Sequence, residues 1–192
     1  MDAAPRRYHH GDLRNALLES ARALLEEDIS ALSLRAVARR AGVSHAAPYR
    51  HFSNHEALLV ELAKEGFMEL RTEIANASVT RNFETDRITT IGAAYVRFVA
   101  RRPALARLMF GPQLPNREKF PELGEAADGV GTEIGRALQD AAAGLAVWAA
   151  IHGLAMLILE NVIDLGQRRA GLDVLPSRAE IVLRSLFAVE RT

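Results

Sequence analysis

Residues 33–52 read Ser33-Leu-Arg-Ala-Val-Ala-Arg-Arg-Ala-Gly42-Val-Ser44-His-Ala-Ala-Pro-Tyr-Arg-His-Phe52, and this stretch decides the fold. Ser33 can cap a short helix running to Ala41, because its hydroxyl can accept one of the backbone N–H groups that a helix start leaves free. Gly42 follows where a helix end favours a residue of positive φ. Ser44 can then cap another short helix ending near Phe52. Two short helices joined by a three-residue turn with glycine at its head form a helix-turn-helix. Ala38 and Val43 are small or apolar where the two must cross, and Val37 and Phe52 can pack the pair onto a preceding helix. The second helix displays His45, Ala46, Ala47, Tyr49 and Arg50. A helix of this kind fits the DNA major groove with its N-terminal residues at the base edges. Pro48 removes one N–H from it and biases Ala47 away from α geometry, which a first turn tolerates.

Charge supports that reading. The 192 residues carry 24 basic and 24 acidic groups, a net of zero, so the molecule as a whole does not steer toward anions. Yet Ile29 to His55 holds four Arg (35, 39, 40, 50), three of the six His (45, 51, 55) and no acid. A local basic face on a neutral protein is what a short nucleic-acid contact surface requires. Hydrophobic residues at 49% and charged residues at 25% give a soluble globular composition. The absence of cysteine excludes a disulfide scaffold and thiolate catalysis. With no apolar stretch near residue 1 to read as a secretory signal, the expected location is cytoplasmic.

Working outward, the pattern stays helical and no alternating strand is found, so the fold class is all-α. Leu13, Ala16, Leu17, Ala21, Leu24 and Leu25 form one stripe of a helix over 8–27. Ser53-Asn54-His55-Glu56 has the spacing of a capping box opening a long helix with Leu59, Leu62, Gly66, Leu70 and Ile74 on one face. Thr85 or Asp86 can open a helix to Arg102, and Pro103 suits the first turn of the next. Residues 111–121, with Pro112, Pro115 and Pro121, read as a loop. A helix over 122–142 is expected to be weakened by Gly129, Gly131 and Gly135. A very apolar helix follows over 145–165, and a second capping box at Ser177-Arg178-Ala179-Glu180 opens a last one to Glu190. This amounts to about nine helices in two domains: 1–55, a helix-turn-helix unit, and 56–192, a helical unit for ligand binding and dimerisation.

Ala-Val-Ala-Arg-Arg-Ala-Gly-Val-Ser, then Tyr49-Arg-His51-Phe52 and Glu56-Ala-Leu58-Leu59, resembles the DNA-binding domain of the TetR family of transcriptional regulators. Tyr8-His-His-Gly-Asp-Leu-Arg-Asn-Ala-Leu-Leu is similar to that family's first helix, so the resemblance covers about residues 8–65. Trp148 with His152-Gly153 resembles a helix near the C-terminus of some members. The resemblance implies that Arg35 reaches a base or phosphate, that His45, Ala46 and Ala47 read base edges, and that Tyr49 and His51 bond phosphates. Ser33 and Ser44, at the two helix starts, belong to the same DNA-binding set. The chemistry is compatible: a His can donate to guanine O6 or N7, and alanine methyls suit a thymine methyl. His55 stands where the family usually has Lys, which predicts weaker or more pH-dependent phosphate anchoring. The family also implies a small-molecule effector and no cofactor, with effector binding altering the spacing of two recognition helices and releasing DNA.

Tyr95, Phe98, Met109, Phe110, Trp148 and Met156 can line an apolar cavity for such an effector, with the proline loop at its mouth. Residues 141–159 are uncharged over a length that could cross a membrane, but Gly144, His152 and Gly153 interrupt the run and no Lys/Arg cluster flanks it. A helix apolar all round also fits one that packs a core on one side and a partner on the other. Ala149 and Gly153, with Ala146 and Ala150, allow close approach. Together with His152 and the last helix's Ile181, Leu186 and Phe187 they are the expected homodimer interface. Dimer symmetry predicts a palindromic double-stranded DNA operator with half-sites roughly 34–36 Å apart. His9, His10 and Asp12 lack a further ligand for a metal, and no phosphate loop, nucleophile elbow or carboxylate pair suggests an enzyme. The reading is thus a homodimeric repressor released by an apolar or amphipathic ligand. The alternative is a helical small-molecule-binding or interaction protein with a vestigial DNA-binding module.

Overall fold

The computed structural model describes residues 10–79, 84–114 and 117–187, which contain nine α-helices and no strand. They are α1 (His10–Glu27), α2 (Leu34–Arg40), α3 (His55–Ser78), α4 (Glu84–Arg101), α5 (Pro103–Phe110), α6 (Pro121–Leu138), α7 (Ala141–Leu159), the single turn α8 (Gln167–Ala170) and α9 (Leu175–Phe187). The expected bounds Tyr8, His9 and Glu190 fall outside the described residues, as do Pro115 and the side chains of His10 and Asp12.

The first half forms as the local signals dictate. The Ser33 hydroxyl accepts from Ala36 N at 3.2 Å and caps α2. Gly42 takes φ 68°, and the turn closes with Val43 N to Ala38 O at 3.0 Å and Gly42 N to Arg39 O at 3.3 Å. This pair of bonds satisfies two of the carbonyls that the end of α2 leaves free. Val37 and Phe52 are buried beneath it with Leu17, Ala21 and Leu25 of α1.

The segment after the turn departs from expectation. Instead of an α-helix over 44–52 there is a turn at Ser44–Ala47, closed by Ala47 N to Ser44 O at 2.9 Å, and a 3-10 turn at Pro48–Arg50. Pro48 is the reason. An α-helix needs an N–H at position 48 to bond the Ser44 carbonyl, and proline has none. The tighter i to i+3 pattern uses the donors that remain.

Two capping assignments also shift. Asn54, not Ser53, caps α3, its Oδ1 accepting from Ala57 N at 2.8 Å. The last helix begins at Leu175, two residues before Ser177, with Pro176 in its first turn where a missing N–H costs nothing.

α3 runs through the middle of the molecule, touching α1, α4, α5 and α6, and α1 also meets α5. α4 packs on α7 and α9, and α6 lies against α3 and α7. α6 forms continuously across its glycines, and two of them, Gly131 and Gly135, let α7 approach. A Cβ built on Gly144 would stand 2.5 Å from Gly135 Cα, and one on Gly131 would stand 3.1 Å from the Trp148 ring. The two helices therefore cross almost backbone to backbone. The hairpin between them is short: Gln139 takes φ 57°, and Asp140 caps α7 by accepting from Ala142 N and Ala143 N at 2.9 and 3.0 Å.

Candidate nucleic-acid interface and apolar cavity

The helix-turn-helix presents its selected side chains outward. Ser33, Arg35, Ser44, His45, Ala46, Tyr49 and His55 are exposed, and Ala47 and His51 are half-buried. Tyr49 is 53% accessible, a large aromatic left more than half exposed among the described residues. Beneath it Pro48 and Phe52 are buried, so the loop is anchored while its outer edge is free. Arg39 and Arg50 are exposed on the same unit. Arg39 was missed among the individual candidates, although the acid-free run contained it. Arg40 is spent internally on Glu27 at 2.8 Å. Asp28 bounds the basic stretch, and hydrogen bonds from the Ser30 hydroxyl and N–H hold its carboxyl below the usual range. His55, the first residue of α3, stands at the positive end of that helix.

The unit is tied to the rest through charge. Arg22 of α1 pairs with Glu65 at 3.0 Å and Glu69 at 3.2 Å, and Arg14 pairs with Glu61, all on α3. Glu69 also takes Arg102 at 2.6 Å, ahead of α5. Glu26, near the end of α1, accepts the N–H groups of Ala104 and Leu105, each at 3.2 Å. A carboxylate from one helix thus caps the first turn of another, where free donors and the helix dipole favour negative charge.

The other end of α5 borders a cavity of about 360 Å³. Its wall is Phe67, Phe110, Ala127, Leu145, Trp148 and Ala149, with two polar groups, His152 and Arg117. Phe67 and Phe110 meet edge to face at 5.2 Å, and the Phe110 and His152 rings are 4.4 Å apart. The Tyr95 hydroxyl lies 2.9 Å from His152 Nδ1 and accepts from Trp148 Nε1 at 3.4 Å. Burial raises the Tyr95 phenol above its ordinary value and lowers His152, so the imidazole is neutral near pH 7. Arg117 Nη2 donates to the carbonyls of Leu108, Met109 and Gly111, at 3.4, 2.5 and 3.3 Å, closing the end of α5.

Of the six side chains selected for a cavity, Phe110 and Trp148 line it, and Tyr95 stands behind His152. Phe98 and Met109 are fully buried core residues, and Met109 fills the space beside Gly66. Met156 is half-buried elsewhere on α7. Phe67, Ala127, Leu145 and Arg117 were missed, because their convergence depends on how α3, α6 and α7 pack. A second groove of about 700 Å³ shares Leu145 and Trp148 and runs along α6 past Asp128, Thr132 and Arg136.

The outer side of α7 is bare. By length and composition this helix could cross a membrane, and only 28% of its most apolar window is buried. Ala149, Gly153 and Leu157 of α7, with Ile181, Val182 and Leu186 of α9, are exposed. Phe187 is half-buried beside them, whereas His152 turns inward to Tyr95.

Residues 17–62 match the family model described as bacterial regulatory proteins, tetR family. Residues 88–172 match that of the tetracyclin repressor-like C-terminal domain. The HTH-type transcriptional regulator Rv1816 of Mycobacterium tuberculosis is 30% identical over 128 residues, 65% of this chain and 53% of that protein. The chain thus spans about half the length of the curated relatives it matches. A protein of unknown function from Rhodococcus sp. RHA1 shares the fold with a TM-score of 0.73 and 30% identity, covering 94% of this chain and 98% of that one. The transcriptional regulator FadR of Bacillus subtilis, solved in complex with stearoyl-CoA, superposes with a TM-score of 0.68 at 16% identity, over 90% of this chain and 98% of that one.

Proposed function

The chain belongs to the TetR family of bacterial regulatory proteins, and on that premise we propose that it is a homodimeric, cytoplasmic transcriptional repressor that an apolar or amphipathic ligand releases from a palindromic operator. Members of the family are DNA-binding regulators rather than enzymes. One observation carries the DNA-binding part: an acid-free stretch, Ile29 to His55, on which His45, Ala46 and Tyr49 stand exposed at the turn of a helix-turn-helix. In this reading His45, Ala46, Ala47 and Arg35 reach the bases. Tyr49, His51, His55, Ser33 and Ser44 position the phosphates, and Arg39 and Arg50 join them.

The bare faces of α7 and α9 support the dimer. A second copy laid across them by two-fold symmetry buries Leu157, Ile181 and Leu186 in a four-helix seam, with Ala149 and Gly153 allowing close approach. A membrane would cover α7 alone and leave the α9 residues unexplained. The cavity beside Phe110 supports an effector, and the fold carries an amphipathic acyl ligand in the Bacillus subtilis regulator.

Fluorescence anisotropy on the DNA upstream of the chain's own coding sequence tests this, with salt and unlabelled competitor varied. Tight binding of two chains per site that survives competitor is expected. Weak binding that salt abolishes would favour a ligand-binding protein with a vestigial DNA module.

A further inference from the structure

The cavity contains a cation with no counter-ion. Among the described residues Arg117 forms no ion pair, and its hydrogen bonds run from Nη2 to the three carbonyls at the end of α5. The cavity wall includes no acid. A guanidinium does not lose its proton in a protein, so the wall stays positive at every working pH. Its burial without a neighbouring carboxylate disfavours the charged form.

The second polar group is a donor too. Trp148 Nε1–H can only donate, so the Tyr95 oxygen accepts from it and turns its own proton to His152 Nδ1. With Nδ1 accepting, the neutral imidazole carries its proton on Nε2. Two donors, one of them charged, thus serve an otherwise aromatic and aliphatic space. We propose that the effector is a carboxylate with an apolar body, its head group bound by Arg117 and the His152 Nε2–H and its body packed against Phe67, Phe110 and Trp148. The proposal rests on the cavity being the effector site. Its volume of about 360 Å³ equals about twelve water volumes of ~30 Å³, enough for an eight-carbon acid.

Trp148 is the single tryptophan of the chain and borders both this cavity and the neighbouring groove, so its emission detects binding at either and Arg117, which lines the cavity alone, tells the two apart. Octanoate, 1-octanol and octylamine are titrated against it on the full-length protein. Octanoate is expected to shift the emission saturably and bind at least about tenfold tighter than octanol, with octylamine weakest, as a charge-assisted contact requires. Arg117→Gln, which removes the charge and keeps a polar side chain, is expected to erase the preference for octanoate while keeping octanol binding. Arg117→Lys is expected to restore much of it. Equal binding of octanol and octanoate, tighter binding of octylamine, or no saturable response to octanoate would overturn the proposal. If Arg117→Gln does not fold, the three-compound comparison on the wild type decides alone. DNA anisotropy on the same samples separates the two levels: absence of operator binding would sink the regulator reading and leave the ligand preference standing.

Discussion

Gly135 and Gly144 meet backbone to backbone, with a Cβ on Gly144 falling 2.5 Å from Gly135 Cα and 2.6 Å from its nitrogen. Neither neighbour is a flexible side-chain end, so an added methyl has to push α6 and α7 apart. Gly144→Ala is expected to cost about 1–3 kcal/mol, read as a fall in thermal midpoint. Gly153, with nothing near its missing Cβ, provides the contrast. Gly153→Ala is expected to leave the isolated fold as stable or slightly more so, by up to about 1 kcal/mol of helix propensity, while weakening dimerisation in sedimentation.

Two residues of the turn separate sequence reading from backbone grip. His45→Ala is expected to relax discrimination at one operator base by about 1–3 kcal/mol, measured against base-substituted sites. Tyr49→Phe is expected to weaken all sequences alike, and to do so less than His45→Ala weakens the best site.

His55 stands at the head of α3, where the proposed phosphate contact would form. His55→Lys is expected to tighten DNA binding several-fold at pH 8 and to steepen its salt dependence, because lysine brings a full charge to that contact. Unchanged affinity and salt slope would refute this anchoring role.

His152 links pH to stability. Burial lowers its folded value below the ordinary imidazole range, so the unfolded chain binds the proton more readily. Stability is therefore full above the unfolded value of about 6.5 and declines as pH falls toward the folded one, by at most about 1.4 kcal/mol per pH unit. Melting curves at pH 7.5 and 5 are expected to show a larger fall for the wild type than for His152→Asn, whose carbonyl can still accept from Tyr95.

Glu26 caps α5 from another helix. Glu26→Gln keeps the shape and loses the charge, and is expected to cost about 0.5–1 kcal/mol in thermal stability. If α5 carries the response to ligand, the ligand concentration that halves operator binding shifts as well. An unchanged midpoint would place the coupling elsewhere.

What the sequence disclosed was local. Ser33, Gly42 and Pro103 act on their own neighbours within five residues, and the structure uses each as its chemistry suggests. Pro48 was legible as a missing donor, but its effect was underrated: the lost bond to Ser44 O removes α-helix from the whole loop. Gly131 and Gly135 were legible only for their local cost to α6, whereas the close approach that they permit belongs to the partner helix. The cavity was half legible for the same reason. Aromatic residues at helical spacing mark an apolar face, and only packing decided that Phe110 borders space while Phe98 is sealed in core.

α5 has eight residues, about 12 Å of axis, held at its head by Glu26 of α1 and at its tail by Arg117 of the cavity wall. A helix so short does not stretch, so it behaves as a push-rod with both ends pinned. A molecule that takes hold of Arg117 competes for the group that pins the tail. Travel so caused would reach α1 through Glu26, and α1 is the helix against which the proposed DNA-reading turn packs. The sensor and the reader can then diverge independently in chemistry, provided that the two pins keep their spacing.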